Sequence, residues 1–110
     1  MRDTGYIVVL ITASSPQEAQ TIAEALLERR EAACVNTTAV QSLFTWQGKC
    51  ENAQEILLIV KTRAALFSQV QTTVKSLHSY TVPEIIALPI IAGHQPYLDW
   101  VDENTGESSA

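Results

Sequence analysis

The chain has 110 residues, 46% of them apolar and 17% charged, with a formal net charge of −5 at pH 7. This length and composition indicate one soluble globular domain with a single modest core. Its seven lysines and arginines are scattered, so the sequence lacks the basic patch that nucleic-acid binding requires. No segment approaches the roughly 20 apolar residues of a membrane-spanning helix, so we expect no membrane association.

The N-terminus and the cysteines favour a cytoplasmic protein. The first apolar stretch follows Asp3 and lacks a signal-peptide cleavage pattern, so we interpret it as the first strand. The two cysteines, Cys34 and Cys50, do not form a disulfide framework. We expect Cys34 to be an inert small side chain within a strand. Cys50, beside a turn, is expected to be exposed and open to soft metals or oxidation.

The first half of the chain predicts a strand and then a helix. Residues 6–11 are uninterruptedly apolar, as in a strand that is buried on both faces. Ser15 suits a helix N-cap, Pro16 the first helical position and Glu18 the reciprocal partner of a capping box. Behind them, one helical face carries the apolar residues Ala19, Ile22, Ala23, Leu26 and Leu27.

The middle of the chain predicts a long β-hairpin. Residues 32–40 form a second strand, which continues into an arm over 41–46 where Phe44 and Trp46 fall on one side. Residues 47–49 supply turn chemistry, and a return strand over 50–60 ends in an apolar run. The outer half of this hairpin is expected to protrude beyond the core.

The last third predicts a helix, a polar loop, a strand and a short helix. Thr62 is a candidate cap for a helix with an apolar stripe that ends near His78, and Pro83 discourages the helix from continuing. A buried strand follows over residues 84–91. Pro96 can open a short helix that presents Tyr97, Trp100 and Val101 on one side. Residues 104–110 contain no large apolar side chain and are expected to form a disordered tail.

This order predicts an α+β fold of the ferredoxin-like split βαβ type (βαββαβ), with a protruding hairpin and a short C-terminal helix, in one domain over residues 1–103. The first and third strands are predicted to run parallel at the centre of the sheet, with the other two running the opposite way. We also expect Thr12, Lys61 and Glu84 to gather at one end of the sheet, and Lys61 to form an ion pair with Glu84.

The strands contain more apolar surface than two helices can cover. In the first, third and fourth strands both alternating sets of side chains are aliphatic, so about seven or eight bulky side chains remain on the face opposite the helices. Burying each contributes roughly 1.5–3 kcal/mol, and a patch of this size on a monomer promotes aggregation. We therefore predict that this face lies at the centre of an oligomer, and that the arm around Phe44 and Trp46 packs on a neighbouring subunit.

Several ordered motifs resemble the CutA divalent-cation-tolerance family over residues 6–101. They are VVLITA (8–13), AACVN (32–36), SLFTWQGK (42–49), Glu55 with LIVKT (58–62), HSYTVPEI (78–85) and YLDW (97–100). The resemblance implies a tight homotrimer with the three sheets facing inward, the hairpin reaching a neighbour, and clefts between subunits. It implies a role in copper and divalent-metal tolerance, with no enzymatic reaction and no required cofactor. The architecture also resembles that of the PII signalling proteins, so the alternative function is a sensor that binds a small molecule in the intersubunit cleft.

Two departures weaken the copper interpretation. Copper-binding members of the family carry a cysteine where this chain has Ile11, and a second histidine where it has Leu77. The remaining candidate metal ligands are His78, whose neutral imidazole can bind copper or zinc, and Glu84. Two ligands are too few, so symmetry or another subunit would have to supply the rest. Alternatively, His78 is hydrogen-bonded at the end of a helix.

The candidate cleft residues are cationic, acidic and aromatic. Lysine binds phosphate or carboxylate, and amphipathic rings suit a ligand cleft or a subunit boundary. A catalytic role would make His78 a general base oriented by Glu84, but the nucleophile-elbow, phosphate-loop and zinc-hydrolase motifs are all missing. We therefore expect binding and no catalysis by the cleft set Lys61, His78, Tyr80, Glu84, Trp46, Tyr97 and Trp100.

Overall fold

The computed structural model describes residues 4–107, which form a mixed α+β fold of one four-stranded antiparallel sheet and three α-helices. A 3₁₀ turn over Ala64–Leu66 precedes the second helix. None of the helices in this range is long and apolar enough to cross a membrane. The predicted order of elements is confirmed: β1 (Tyr6–Ala13), α1 (Pro16–Glu28), β2 (Cys34–Trp46), β3 (Lys49–Arg63), α2 (Phe67–Leu77), β4 (Ile85–Pro89) and α3 (Gln95–Glu103).

The direction predicted for the central strands is wrong. The sheet order is β2-β3-β1-β4, and every neighbouring pair is antiparallel, including β1 and β3. The physical reason is the hairpin. Helix α1 returns the chain so that β2 runs in the same direction as β1, and the two-residue turn then reverses β3 and sends it between them.

The same register separates residues that were expected to meet. Lys61 lies opposite Val8 and Cys34, whereas Glu84 directly precedes Ile85, which lies opposite Ile11. Four residues along a strand span about 14 Å, so the two ends of the sheet are too far apart for contact. Lys61 and Glu84 form no ion pair with each other or with any other residue of the described chain, and the prediction that they pair is wrong within a chain.

One face of the sheet forms the core with α1 and α2. Val9 and Ile11 of β1 lie opposite Val60 and Leu58 of β3, and all four are fully buried. Helices α1 and α2 contribute further buried side chains to the same cluster: Ala19, Ile22, Leu26, Val70 and Val74.

The opposite face, which we call the bare face, has no layer of helices over its centre. The register aligns six aliphatic side chains there: Val8, Leu10, Leu57, Ile59, Ile86 and Leu88. The four side chains on β1 and β3 are half-buried, and the two on β4 are each 50% exposed. The expectation that the strands are apolar on both faces is therefore confirmed, with six side chains on the bare face in place of the seven or eight expected. The prediction of a buried strand over residues 84–91 is wrong within a chain, because β4 is an edge strand and most of its residues are exposed.

The hairpin extends beyond the core as an open ribbon. Strands β2 and β3 pair from Cys34 and Lys61 out to Trp46 and Lys49, and the molecule measures 48 Å along its longest axis. Gln47 and Gly48 both have positive φ, of 52° and 78°. This is the backbone of the two-residue turns that match the twist of a hairpin. Near the tip, Leu43 and Trp46 are 71% and 57% exposed.

Helix α1 begins as predicted, with one difference in its cap. Ser15 is the N-cap and its Oγ accepts the Glu18 N–H at 3.1 Å, with Pro16 in the first turn. The Glu18 carboxylate does not return to the N–H of Ser15. It accepts the N–H of Ser14 instead, at 3.0 Å.

The second predicted cap is wrong. Thr62 belongs to β3 and is fully buried, and its Oγ1 donates to the carbonyl of Glu31 at 2.6 Å. The chain passes through the 3₁₀ turn before α2 starts, without a side-chain cap. Helix α2 ends where expected, at the C-cap His78.

Residues 104–107 differ from the predicted disordered tail, because two arginines hold them against the domain. Arg30 donates to the carbonyls of Gly106 at 2.8 Å and Glu103 at 2.6 Å. Arg63 donates to Thr105 Oγ1 at 2.9 Å, and Thr105 is 3% exposed. Small polar residues are ordered here by hydrogen bonds, which a search for apolar side chains does not detect. Residues 108–110 of the predicted tail lie outside the described chain.

Leu26 and Leu27, adjacent in α1, allow a matched test of the core. Leu26 is fully buried and Leu27 is 43% exposed. We expect Leu26→Ala to lower the free energy of unfolding by about 2–5 kcal/mol, because it removes packed methyl groups and leaves a cavity. Leu27→Ala should cost no more than about 1 kcal/mol. Urea unfolding followed by circular dichroism at one fixed protein concentration measures both, and equal losses would contradict the assignment of the core face.

Candidate functional site

The side chain of His78 is fully buried at the junction of β1, α1 and the loop before β4. Its Nε2 donates to the carbonyl of Thr12 at 2.7 Å, because a carbonyl oxygen can only accept. Its Nδ1 accepts the N–H of Tyr80 at 3.0 Å, and Glu18 Oε1 lies 3.2 Å from the same nitrogen. Both ring nitrogens are therefore occupied by structural partners.

The Glu18 carboxylate ties two loops together. Oε2 accepts the N–H and the hydroxyl of Ser14 and, at 3.0 Å, the hydroxyl of Ser79. Oε1 accepts the N–H of Ser79 at 2.5 Å. Burial alone would raise the pKa of Glu18, but the hydrogen bonds from Ser14 and Ser79 outweigh it and lower the pKa to about 2. Glu18 is thus an anion at neutral pH that joins the β1–α1 loop to the α2–β4 loop.

Tyr80 continues this cluster toward the bare face. Its ring lies 4.8 Å from the imidazole of His78, and its hydroxyl donates to Glu55 Oε2 at 2.8 Å. Burial, the hydrogen bond to Glu55 and the negative charges of Glu55 and Glu18 raise the pKa of Tyr80 to about 12. Glu55 is 7% exposed. We call Glu18, Glu55, His78, Tyr80 and Glu84 together the acidic end of the sheet.

Glu84 is an exposed member of the acidic end. It directly precedes β4, so the alternation of side chains that puts Ile86 and Leu88 on the bare face also puts Glu84 there. Its carboxylate has no hydrogen bond or ion pair to any of residues 4–107. It is available to a group from outside the chain.

Lys61 marks the other end of the bare face, which we call the basic end. It lies in one row with Cys34 on β2 and Val8 on β1. Nearby, Tyr97 of α3 interacts with Cys34. Burial, the proximity of Cys34 and a hydrogen bond between the two side chains raise the pKa of Tyr97.

The aromatic candidates lie in three separate places. The rings of Tyr97 and Trp100 are 5.6 Å apart on α3, whose inner side is formed by Leu98 and Val101. Trp46 stands at the tip of the arm, and Tyr80 belongs to the acidic end. One chain therefore does not bring the seven predicted cleft residues together. None of them lines either of two grooves, of about 410 and 470 Å³, that flank α1 and the start of the arm.

The residues of one chain do not fit a metal centre. No group of three or more histidine, cysteine, aspartate or glutamate side chains among residues 4–107 is arranged to hold an ion. His78 has no free nitrogen, and Glu84 supplies one exposed carboxylate. The two thiols are free, Cys34 half-buried and Cys50 exposed near the arm tip. Within a chain, the predicted pair of metal ligands therefore lacks the companions that a metal ion requires.

Sequence reasoning missed two important members of the site. Glu18 was assigned only to a helix cap, although its carboxylate reaches Ser79, 61 positions along the chain. No local pattern signals a contact between residues so far apart. Glu55 carried a weak signal, because it is the last acidic residue before the apolar run of β3.

Comparison with known proteins assigns the family. The sequence model of the CutA1 divalent ion tolerance protein family matches residues 7–104. This chain belongs to that family. A divalent-cation tolerance protein CutA from Thermus thermophilus is 54% identical over 100 residues, covering 90% of this chain and 97% of the relative. The CutA protein of Archaeoglobus fulgidus is 50% identical over 95 residues, covering 86% and 93%.

Solved CutA structures share the fold. The T. thermophilus divalent cation tolerance protein superposes with a TM-score of 0.90 at 53% identity, covering 92% of this chain and 99% of that one. The A. fulgidus CutA structure, described as periplasmic, gives a TM-score of 0.89 at 48% identity, covering 90% and 97%. The resemblance inferred from the motifs is thus confirmed at the level of family and fold.

Glu18 offers a test through pH. Its pKa of about 2 lies below the ordinary value of 4.5, so its contribution to stability is fully present above pH 4.5 and is lost as pH falls toward 2. We expect Glu18→Gln to lower the free energy of unfolding at pH 7 by about 1–3 kcal/mol, because it removes a charged acceptor of several hydrogen bonds. The difference from wild type should shrink as pH falls from 4.5 to 2, which urea unfolding across that range measures.

Glu28→Gln is the matched control, because Glu28 is exposed on the same helix and has no partner among the described residues. It should change the free energy of unfolding by less than about 0.5 kcal/mol. If the two variants gave the same pH profile, the assignment of the Glu18 cluster would be overturned.

Proposed function

We propose that this protein is a homotrimeric, non-enzymatic CutA protein that acts in the response to divalent cations, copper among them. The observation that carries the proposal is the match to the CutA1 family across residues 7–104, nearly the whole chain. The curated relatives with 54% and 50% identity are both named divalent-cation tolerance proteins.

The bare face supports assembly. Six aliphatic side chains lie outside the core, and burying each contributes about 1.5–3 kcal/mol. Two other copies that turn their own bare faces inward would cover this surface. The arm, with Leu43 and Trp46 exposed, would then rest on a neighbour, because a two-stranded ribbon is marginally stable on its own.

The hydrogen bonds of His78 support binding over catalysis. A general base needs a free nitrogen within reach of its substrate, and both nitrogens of this imidazole are occupied. The buried ring instead holds the loop that leads to Glu84. In this proposal His78 positions that loop.

A metal ion would bind weakly and between chains. Glu84 and Cys50 are exposed donors, whereas His78 would have to release Thr12 or Tyr80 before it could ligate an ion. The separation of the cleft residues supports the same conclusion. Lys61, Tyr97 and Trp100 of one subunit can adjoin His78, Tyr80 and Glu84 of another, with Trp46 supplied by an arm, only in an assembly.

Cytoplasmic localisation remains part of the proposal. It is supported by the two free thiols, which a reducing compartment maintains. The A. fulgidus relative is described as periplasmic, so fractionation of the source cells is the direct test.

Sedimentation velocity tests the assembly. We expect the wild-type protein to sediment at micromolar concentration with three times its chain mass of 12.1 kDa. Ile59→Lys should dissociate the trimer, because it puts a charge on the bare face without disturbing the core under the helices. Leu27→Lys, on the exposed side of α1, is the control and should leave the mass unchanged. A monomeric wild type would overturn the proposal.

Calorimetric titration with Cu²⁺ tests the metal function. We expect a weak signal from the wild type and an affinity at least about tenfold lower for Glu84→Gln, because the exposed carboxylate is lost. His78→Ala, Cys34→Ser and Cys50→Ser complete the series. Copper binding that is indifferent to all four substitutions would show that these residues do not hold the ion.

A further inference from the structure

Lys61 is the cation that the fold leaves unmatched on the bare face. Arg63, two residues along the same strand, lies 3.7 Å from Asp102 and bonds to Thr105. Lys61 is half-buried beside Val8 and Cys34, and its ammonium has no acceptor or acidic partner among residues 4–107. Its neighbours on the same face are Val8 and Cys34 across the sheet and Ile59 and Arg63 along β3.

This arrangement has a consequence for any protein that covers the face. Enclosing an unpaired ammonium in an apolar interface costs several kcal/mol, so the covering surface must supply an anion. The acidic residues at the other end of the same bare face are Glu55 and Glu84. Glu55 is already buried and accepts the hydroxyl of Tyr80, whereas Glu84 is exposed and unpaired within the described chain.

We propose that Lys61 of one subunit forms an ion pair with Glu84 of the next, so that the basic end of each bare face meets the acidic end of its neighbour. This rests on the trimer proposed above and adds the groups that orient it. Within a chain the two residues are offset by about four strand positions, or about 14 Å along the strands, and β1 lies between their strands, so they cannot satisfy each other. A closed head-to-tail ring brings two different patches together at every interface and satisfies all copies at once.

The pair would also set the direction of assembly. Aliphatic contacts alone do not discriminate between a head-to-tail and a head-to-head arrangement of the sheets. Opposite charges at the two ends favour the former, because a head-to-head contact juxtaposes Lys61 with Lys61 or Glu84 with Glu84. The complementary ends would therefore act as the recognition surface for a second copy of this chain.

Charge reversal tests the pair by sedimentation equilibrium. Lys61→Glu and Glu84→Lys should each raise the concentration at which the trimer half-dissociates, by about a hundredfold or more, because each juxtaposes like charges. The double variant K61E/E84K restores opposite charges at every interface and should recover most of the wild-type affinity. Lys75→Glu on α2 and Glu28→Lys on α1 change the same charges on exposed helical positions and should have no effect on assembly.

Subunit exchange distinguishes a specific pairing of Lys61 with Glu84 from a general effect of the substitutions on folding. K61E/E84K should trimerise with itself and exclude wild-type subunits, because each mixed interface contains a like-charge contact. Tagged wild-type and double-variant chains, mixed and pulled down, should give fewer mixed trimers than a random distribution. The experiment also remains decisive if one single variant fails to fold, since the double variant carries the prediction.

The outcomes separate the two proposals. A monomeric wild-type protein overturns the trimer and the ion pair together. If the wild type is trimeric while both single variants associate as tightly, or while the double variant is no better than the weaker single variant, the pairing of Lys61 with Glu84 is wrong and the trimer stands.

Discussion

The central constraint on this molecule is that the inner strands of its sheet are apolar on both faces while α1 and α2 cover only one. β1 and β3 alternate between residues that face α1 and α2, such as Val9 and Val60, and residues that face away, such as Leu10 and Ile59. The first set makes the monomer fold. The second set leaves aliphatic side chains half-buried or exposed in a single chain, and contact between such surface and water is unfavourable. Assembly of several copies would explain three further features. It would bury the open arm and the exposed residues of β4, and it would bring the separated polar clusters together.

The acidic end is a polar cluster whose side chains hydrogen-bond to one another and to two loops. Glu18 accepts hydrogen bonds from two loops, His78 bridges Thr12 and Tyr80, and Tyr80 in turn binds Glu55. Every buried side-chain nitrogen and oxygen among the described residues has a hydrogen-bond partner, so the residues that most resemble an acid–base set hold one another in place. The unpaired carboxylate of Glu84 stands just beyond them, on a loop that they fix.

The local sequence was sufficient to predict most of the secondary-structure elements and their order. Ser15 and Pro16 mark the start of α1, and Gln47 with Gly48 marks the hairpin turn, because each depends on a few neighbouring residues. The antiparallel direction of β1 and β3 also follows from that turn, once the reversal it imposes is applied. The element boundaries shifted by a few residues, as at Thr62, where a buried hydroxyl binds a distant carbonyl and does not cap the helix.

The candidate site could be predicted only in its residue types. The motifs singled out Lys61, His78 and Glu84, but their placement at two ends of a sheet depends on the register of strands that are far apart in sequence. The reach of Glu18 to Ser79 and the docking of Thr105 under Arg63 depend on long-range hydrogen bonds that leave no periodic trace. Such contacts form only when elements distant in sequence pack together, so they can be identified only in the folded structure.

The solvent-exposed indole at the end of the arm gives the protein an intrinsic optical probe. Trp46 is 57% exposed at the tip, and the one other tryptophan, Trp100, sits on the body of the domain. An indole that leaves water for an apolar surface emits at shorter wavelength. The emission wavelength of Trp46 therefore reports, without any label, whether the arm packs on another subunit or extends into the solvent.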